Sequence, residues 1–190
     1  MAKRRFDYNC IVISLYGLLE QYIEALVLAY ADALNGIVPR YEDLPGPIRE
    51  RYIGLTFTLI QQADQSRYRG VIDAAVLVAN LHSCLNNQTP YKLNAAAFCS
   101  HEVNFRAGSI DGLFTRVGVQ GVIRRLHQFS PFTEYLEQRF PDREITTLTE
   151  QEMFFWLEDL AERRNEVAHG AASQLLSNEI LLEYVEFVGA

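Results

Sequence analysis

Apolar residues recur along the first part of the chain with the period of a helix. From about Tyr8 to Leu34 they fall at Ile11, Leu15, Leu18, Tyr22, Ala25, Ala29 and Ala33, with Val12, Leu19, Ile23, Leu26 and Tyr30 beside them, which is a wide helical stripe. A helix of this length spans about 40 Å at about 1.5 Å per residue. Asn35-Gly36 and Pro39 supply its stop, and a segment so long and so apolar is expected to be the central helix of the core. Residues 39–47 (PRYEDLPGP) concentrate proline and glycine and read as a loop, and a second helix is expected from about Ile48 to Gln62. Val71 to Leu85 is apolar on nearly every side; its length and lack of an internal turn signal favour a buried helix over a strand. Residues 86–108, with Asn86-Asn87, Thr89-Pro90 and Gly108, predict a largely irregular connection.

Capping signals divide the rest. Ser109 is placed to cap a short helix through Val117. Ser130-Pro131 pairs a cap with proline at the first helical position of a segment that Pro141 ends. Thr149 with Glu152 makes a capping box ahead of an apolar-periodic run to about Ala168 or His169. Gly170 then falls where a left-handed residue ends a helix, and Ser177 to Val188 predicts a last amphipathic helix. No repeat or linker interrupts this order, so one all-α bundle over residues 1–190 is expected.

Composition narrows the chemistry. A chain of 190 residues with 49% hydrophobic and 22% charged residues is long enough to bury a core without disulfides or a structural metal. Cys10, Cys84 and Cys99 are too scattered for a disulfide framework or a zinc site, which fits a reducing cytoplasm. The basic start MAKRR leads into a helical rhythm carrying Glu20 and Glu24 with no small-residue cleavage site, so neither a signal peptide nor a membrane span is expected. Seventeen Lys and Arg against 24 Asp and Glu give a net charge of −7, which disfavours non-specific wrapping of nucleic acid. Short-range screening still permits local basic sites, at Lys3 to Arg5, Arg124 with Arg125, and Arg163 with Arg164.

The segment ERRNEVAHG, Glu162 to Gly170, holds the candidate chemistry. On a helix Met153, Leu157, Leu160 and Val167 form one stripe, and Arg164 falls in its middle. A guanidinium among core-type neighbours must be paired, snorkelling, or aimed into an interface or cleft. Asn165 and His169, four residues apart, share a second face. Arginine holds phosphate oxygens in pairs, and histidine moves protons near neutral pH, so the set suits phosphoryl chemistry. Taken alone, an arginine on an apolar stripe is more often a structural ion-pair partner, and a histidine before a terminal glycine more often a helix cap.

Arg164-Asn165-Glu166-Val167-Ala168-His169 resembles the R-N-x-x-x-H signature of the HEPN superfamily, the higher eukaryote and prokaryote nucleotide-binding domains. The segments SLYGLLEQYIEAL and HEVNFRAGSIDGLFTRVGV and a final helix after AHG follow the order of its RiboL-PSP-like branch, so the resemblance covers most of the chain. It implies an all-α HEPN-type bundle that dimerises through the motif helices, with Arg and His of both subunits lining one cleft. It further implies a metal-independent endoribonuclease without cofactor, often a toxin or phage-defence effector, with RNA, tRNA among it, as the expected substrate. His169 would then be the acid or base at the 2′-hydroxyl and leaving oxygen, Arg164 would stabilise the phosphorane, and Asn165 would orient His169 or the phosphate. A 2′,3′-cyclic phosphate and a 5′-hydroxyl are the expected ends. A branch silenced by a partner nucleotidyltransferase carries a tyrosine two residues after the histidine, where this chain has Ala171; a protein antitoxin or regulator remains an expected partner. The alternatives are a non-catalytic HEPN module for dimerisation or for binding a partner protein or nucleotide, and a helical scaffold subunit of a larger complex.

Supporting positions are weaker. Arg163 is a candidate phosphate contact, Glu20 a candidate partner for Arg164, and Arg106, with His101 and Asn104, lies where the middle connection could reach a substrate. His82, His101 and His127 have no cysteine or carboxylate at metal-ligand spacing, so no metal site is expected.

Overall fold

The computed structural model describes residues 2–65, 68–100, 104–169 and 177–190. Among these residues there are ten α-helices and two short 3-10 turns, with no strand. The helices are α1 (Ala2–Ile37), α2 (Gly46–Gln62), α3 (Ala74–Leu85), α4 (Ala95–Cys99), α5 (Ala107–Arg116), α6 (Val122–Leu126), α7 (Ser130–Arg139), α8 (Glu150–Met153), α9 (Phe155–Ala168) and α10 (Asn178–Gly189). The chain divides into two compact units, one of residues 1–22, 104–111 and 121–190, the other of residues 23–103 and 112–120.

In the first unit, α1 buries Tyr8, Val12 and Tyr16, four residues apart and so on one face. Helices α9 and α10 pack together, and Leu157, Leu160, Ala161 and Tyr184 are buried. An aromatic cluster extends this core: Phe132 stacks on Phe154 with ring centroids 5.3 Å apart, and Phe187 meets both edge-on. In the second unit α2 packs against α3 and α4 around Leu59, Leu77 and Ala97, while Ile23, Val27 and Ala31 of α1 are buried.

The stripe expected to bury α1 is not the one that does. Leu18 is 59% and Tyr22 64% exposed, and Ile11 lies open beside them. Apolar residues occupy more than half of this helix's circumference, so periodicity identifies a helix without choosing its inward face. Within Arg5–Ile37 an 18-residue window has a mean hydropathy of 1.6, so by length and composition alone this helix could cross a membrane.

Local signals fared better where a side chain acts on its own backbone. The Thr149–Glu152 capping box forms, and Ser177 Oγ accepts from Ile180 N. The run after Thr149 nonetheless breaks at Phe154 into α8 and α9. Helix α3 begins at Ala74 rather than Val71 because the Asp73 carboxylate accepts from Ala75 N at 2.8 Å. Ser109 lies inside α5 and does not cap its start; its Oγ accepts instead from Arg106 N, 2.7 Å away. Gly170 lies outside the described residues.

Candidate functional site

Helix α9 carries the motif in its last two turns. The centre of its apolar stripe is closed by the chain's own core, since Leu157 and Leu160 are buried. Met153, Arg164 and Val167 are half-buried, and Ala168 and His169 are exposed. What the core leaves uncovered of the stripe is thus chiefly the C-terminal end of the helix. His169 closes α9, with φ −89° and ψ 5°, and its backbone N–H donates to Asn165 O at 3.0 Å. The bond ties the turn that presents the imidazole to the residue that presents the carboxamide.

Arg164 does not meet Glu20. Its guanidinium carbon lies 5.5 Å from the centre of the Tyr16 ring, a cation–π contact, and its Nη1 reaches Asn165 Oδ1 at 3.5 Å. Glu20 lies instead at the Tyr16 hydroxyl: burial first, and the Glu20 carboxylate second, push the Tyr16 phenol well above the usual tyrosine range. Tyr16 is buried and its hydroxyl donates to Phe105 O at 3.2 Å. The ring is thus held at its hydroxyl while its face meets the guanidinium.

The other candidates are engaged elsewhere. Arg163 Nε sits 3.2 Å from Asp159, the same carboxylate accepts from the Tyr184 hydroxyl, and Tyr8 lies beside Arg163. Burial opposes the Arg163 charge, and the Asp159 and Tyr184 oxygens outweigh it, leaving its pKa raised. Arg106 bridges Glu158 at 2.5 Å and Glu162 at 3.0 Å, and its bonds to these two carboxylates raise its pKa. It braces the start of α5 against α9, and Ala107 N adds a bond to Glu158. His101 and Ala171 lie outside the described residues, and His82 is exposed on α3.

Asn104 takes a larger part than its sequence position announced, for its Nδ2 donates to Asn165 Oδ1 across 61 residues. Tyr16, Glu158, Asp159 and Tyr184 also belong to the neighbourhood of the motif. Tyr16 and Asp159 sit one helical turn from Glu20 and Arg163, which is the only local hint of their roles.

Arg40, Arg106, Arg139, Arg143 and Arg163 each meet a carboxylate. Arg164 meets none among the described residues and rests on an aromatic face. A half-buried cation held without a carboxylate among the described residues, beside the Asn165 carboxamide and on the helix that His169 ends, is suited to an anion with several acceptor oxygens. Among the described residues no group of three or more His, Cys, Asp and Glu side chains is placed to hold a metal ion.

The family model described as RiboL-PSP-HEPN matches residues 7–190. Neither a curated protein nor a solved structure matches the chain. The chain belongs to the RiboL-PSP-HEPN family, within the HEPN superfamily.

Proposed function

We propose that this RiboL-PSP-HEPN protein is a metal-independent endoribonuclease that works as a homodimer in the cytoplasm, with Arg164, Asn165 and His169 of two chains around one RNA phosphate. The observation that carries the reading is the state of Arg164: half-buried, supported by the Tyr16 ring, and without a carboxylate among the described residues. Desolvating a cation without a counter-ion is costly, and an RNA phosphate supplies the missing charge.

The reaction is attack of a 2′-oxygen on its own 3′-phosphate. One imidazole takes the 2′-hydroxyl proton as the O2′–P bond forms, and the other protonates the 5′-oxygen as the P–O5′ bond breaks. The products are a 2′,3′-cyclic phosphate and a 5′-hydroxyl, and DNA is inert because it lacks the nucleophile. Arg164 stabilises the charge that grows on the phosphorane oxygens, and Asn165 donates to the same group. A second copy is called for because each chain offers one such histidine, exposed at the end of α9. The uncovered apolar residues Leu18 and Tyr22 of α1 provide further surface that association could bury. Action as a toxin or phage-defence effector, held in check by a protein partner, is the setting in which such an activity fits.

The test incubates purified wild type, Arg164→Ala and His169→Ala with total RNA and with tRNA in EDTA, followed by end-group analysis and native mass measurement. Cleavage by the wild type alone, with cyclic-phosphate ends and all three proteins dimeric, supports the reading. Loss of one donor or proton-transfer group should cost about 100-fold or more. Intact RNA at high protein concentration favours a non-catalytic module that binds a partner protein or nucleotide, and a clean monomer removes the two-chain site.

A further inference from the structure

We infer that Asn104 is a positioning residue for this site: its carboxamide turns the Asn165 amide so that Asn165 Nδ2 is left to donate to the phosphate of bound RNA. The inference rests on the ribonuclease reading and deepens it. The direction of the Asn165 amide follows from its neighbours. Arg164 Nη1 lies 3.5 Å from one end of that amide, and a guanidinium can only donate, so the atom facing it is Oδ1. Asn104 must then offer its own Nδ2 to the same oxygen, as it does. Two donors engage both lone pairs of Oδ1, and among the described residues nothing accepts from Asn165 Nδ2.

The choice matters because a phosphate only accepts. Rotated by half a turn, Asn165 would present an oxygen to an anion. The terminal torsion of asparagine has two broad, nearly equivalent settings, so a neighbour has to select one. Asn104 is itself held firmly enough to do so. Its carbonyl lies 3.1 Å from Ser109 Oγ, which also accepts from Arg106 N. The adjacent Phe105 carbonyl accepts from Tyr16, and the Arg106 guanidinium pairs with Glu158 and Glu162. Residues 104–106 are therefore tied to α1, to the first turn of α5 and to α9, and they deliver one carboxamide to the point where Asn165 needs it.

The experiment compares Asn104→Asp with Asn104→Ala. Aspartate keeps the shape of asparagine, but its ionised carboxylate can only accept; set at the same oxygen as Arg164 Nη1, it accepts from that guanidinium in place of Asn165 Oδ1 and also takes Asn165 Nδ2, so that Asn165 turns and presents Oδ1 to the substrate. With an RNA oligomer that the wild type cleaves, Asn104→Ala is expected to lower kcat about 10-fold and Asn104→Asp about 100-fold, with both proteins melting within a few degrees of wild type. A side chain that only braces the fold gives the opposite ranking, because aspartate can still bond to Asn165 and alanine cannot. Simple repulsion between the new carboxylate and RNA appears in KM and fades with added salt, whereas a turned amide persists in kcat. A second readout needs no cleavage: the side-chain amide signal of Asn165, assigned by its loss in Asn165→Ala, shifts in Asn104→Asp as its hydrogens gain an acceptor. Asn104→Asp cleaving as well as Asn104→Ala, or an unshifted Asn165 signal, overturns the inference while the ribonuclease reading stands. A wild type that cleaves no RNA, with the Asn165 signal shifting as described, removes the ribonuclease reading and supports the amide placement.

Discussion

Tyr16 does two things at once, and two substitutions separate them. Its hydroxyl donates to the Phe105 carbonyl at 3.2 Å, joining α1 to the segment before α5, and its ring lies under the Arg164 guanidinium at 5.5 Å. Tyr16→Phe removes the hydroxyl and leaves a buried carbonyl without its donor, a loss of about 1–3 kcal/mol, with the ring in place. Tyr16→Leu also removes the ring and leaves a cavity at a position that is 1% exposed, adding about 2–4 kcal/mol. The cation–π part is about 0.5–1 kcal/mol at a half-exposed arginine. A double-mutant cycle isolates it. Urea unfolding of wild type, Tyr16→Leu, Arg164→Ala and the double variant should give a coupling of that size. The parallel cycle with Tyr16→Phe should give close to none, since phenylalanine keeps the ring. Additivity within about 0.3 kcal/mol in the Tyr16→Leu cycle would show that Arg164 is not supported by the ring, and the account of its uncompensated charge would fail with it.

Asp159→Asn should destabilise the protein by about 2–4 kcal/mol in urea unfolding, because Arg163 and Asp159 are only 22% and 25% exposed and the change strands the guanidinium while weakening the Tyr184 bond. A loss below about 0.5 kcal/mol would mean that this pair is merely a surface contact. Acid should selectively remove the contribution of Glu152, whose carboxyl is held down at about 2, from 4.5, first by Arg143 and then by the Thr149 backbone and hydroxyl. A depressed carboxyl stabilises the fold in full above its ordinary value and loses that effect as pH falls from about 4.5 towards 2. Glu152→Gln is therefore expected to melt below wild type at pH 7 and to match it near pH 2; a gap that stays constant with pH contradicts this.

The division between what could be read along the chain and what could not follows the range of the interactions. Capping is local: Thr149 with Glu152 and Ser177 with Ile180 act over three residues, so these helix starts were legible, as was the hexamer from Arg164 to His169. Helix type follows from a period that each segment carries by itself, which is why the all-α class is legible in the sequence. The inward face of α1 is a different kind of fact. With apolar residues on most of its surface, the choice of Val12 and Tyr16 over Leu18 and Tyr22 is made by the segments that pack against it.

The same holds for the site. Arg164 was recognisable as a charge among core residues, but whether it met Glu20 or an aromatic ring depended on how α1 is rotated against α9. Arg106 and Arg163, plausible phosphate contacts in isolation, are taken up by Glu158, Glu162 and Asp159. Asn104 reaches Asn165 across 61 residues and Tyr16 reaches Phe105 across 89. The sequence by itself determined the long helices, the caps at Thr149 and Ser177 and the place of the hexamer from Arg164 to His169 on one helix, because each depends on neighbours within a turn or two. Only the tertiary structure decided that Arg106 meets Glu158 and Glu162 while Arg164 rests on the Tyr16 ring, because side chains so far apart in the chain meet only when the core packs.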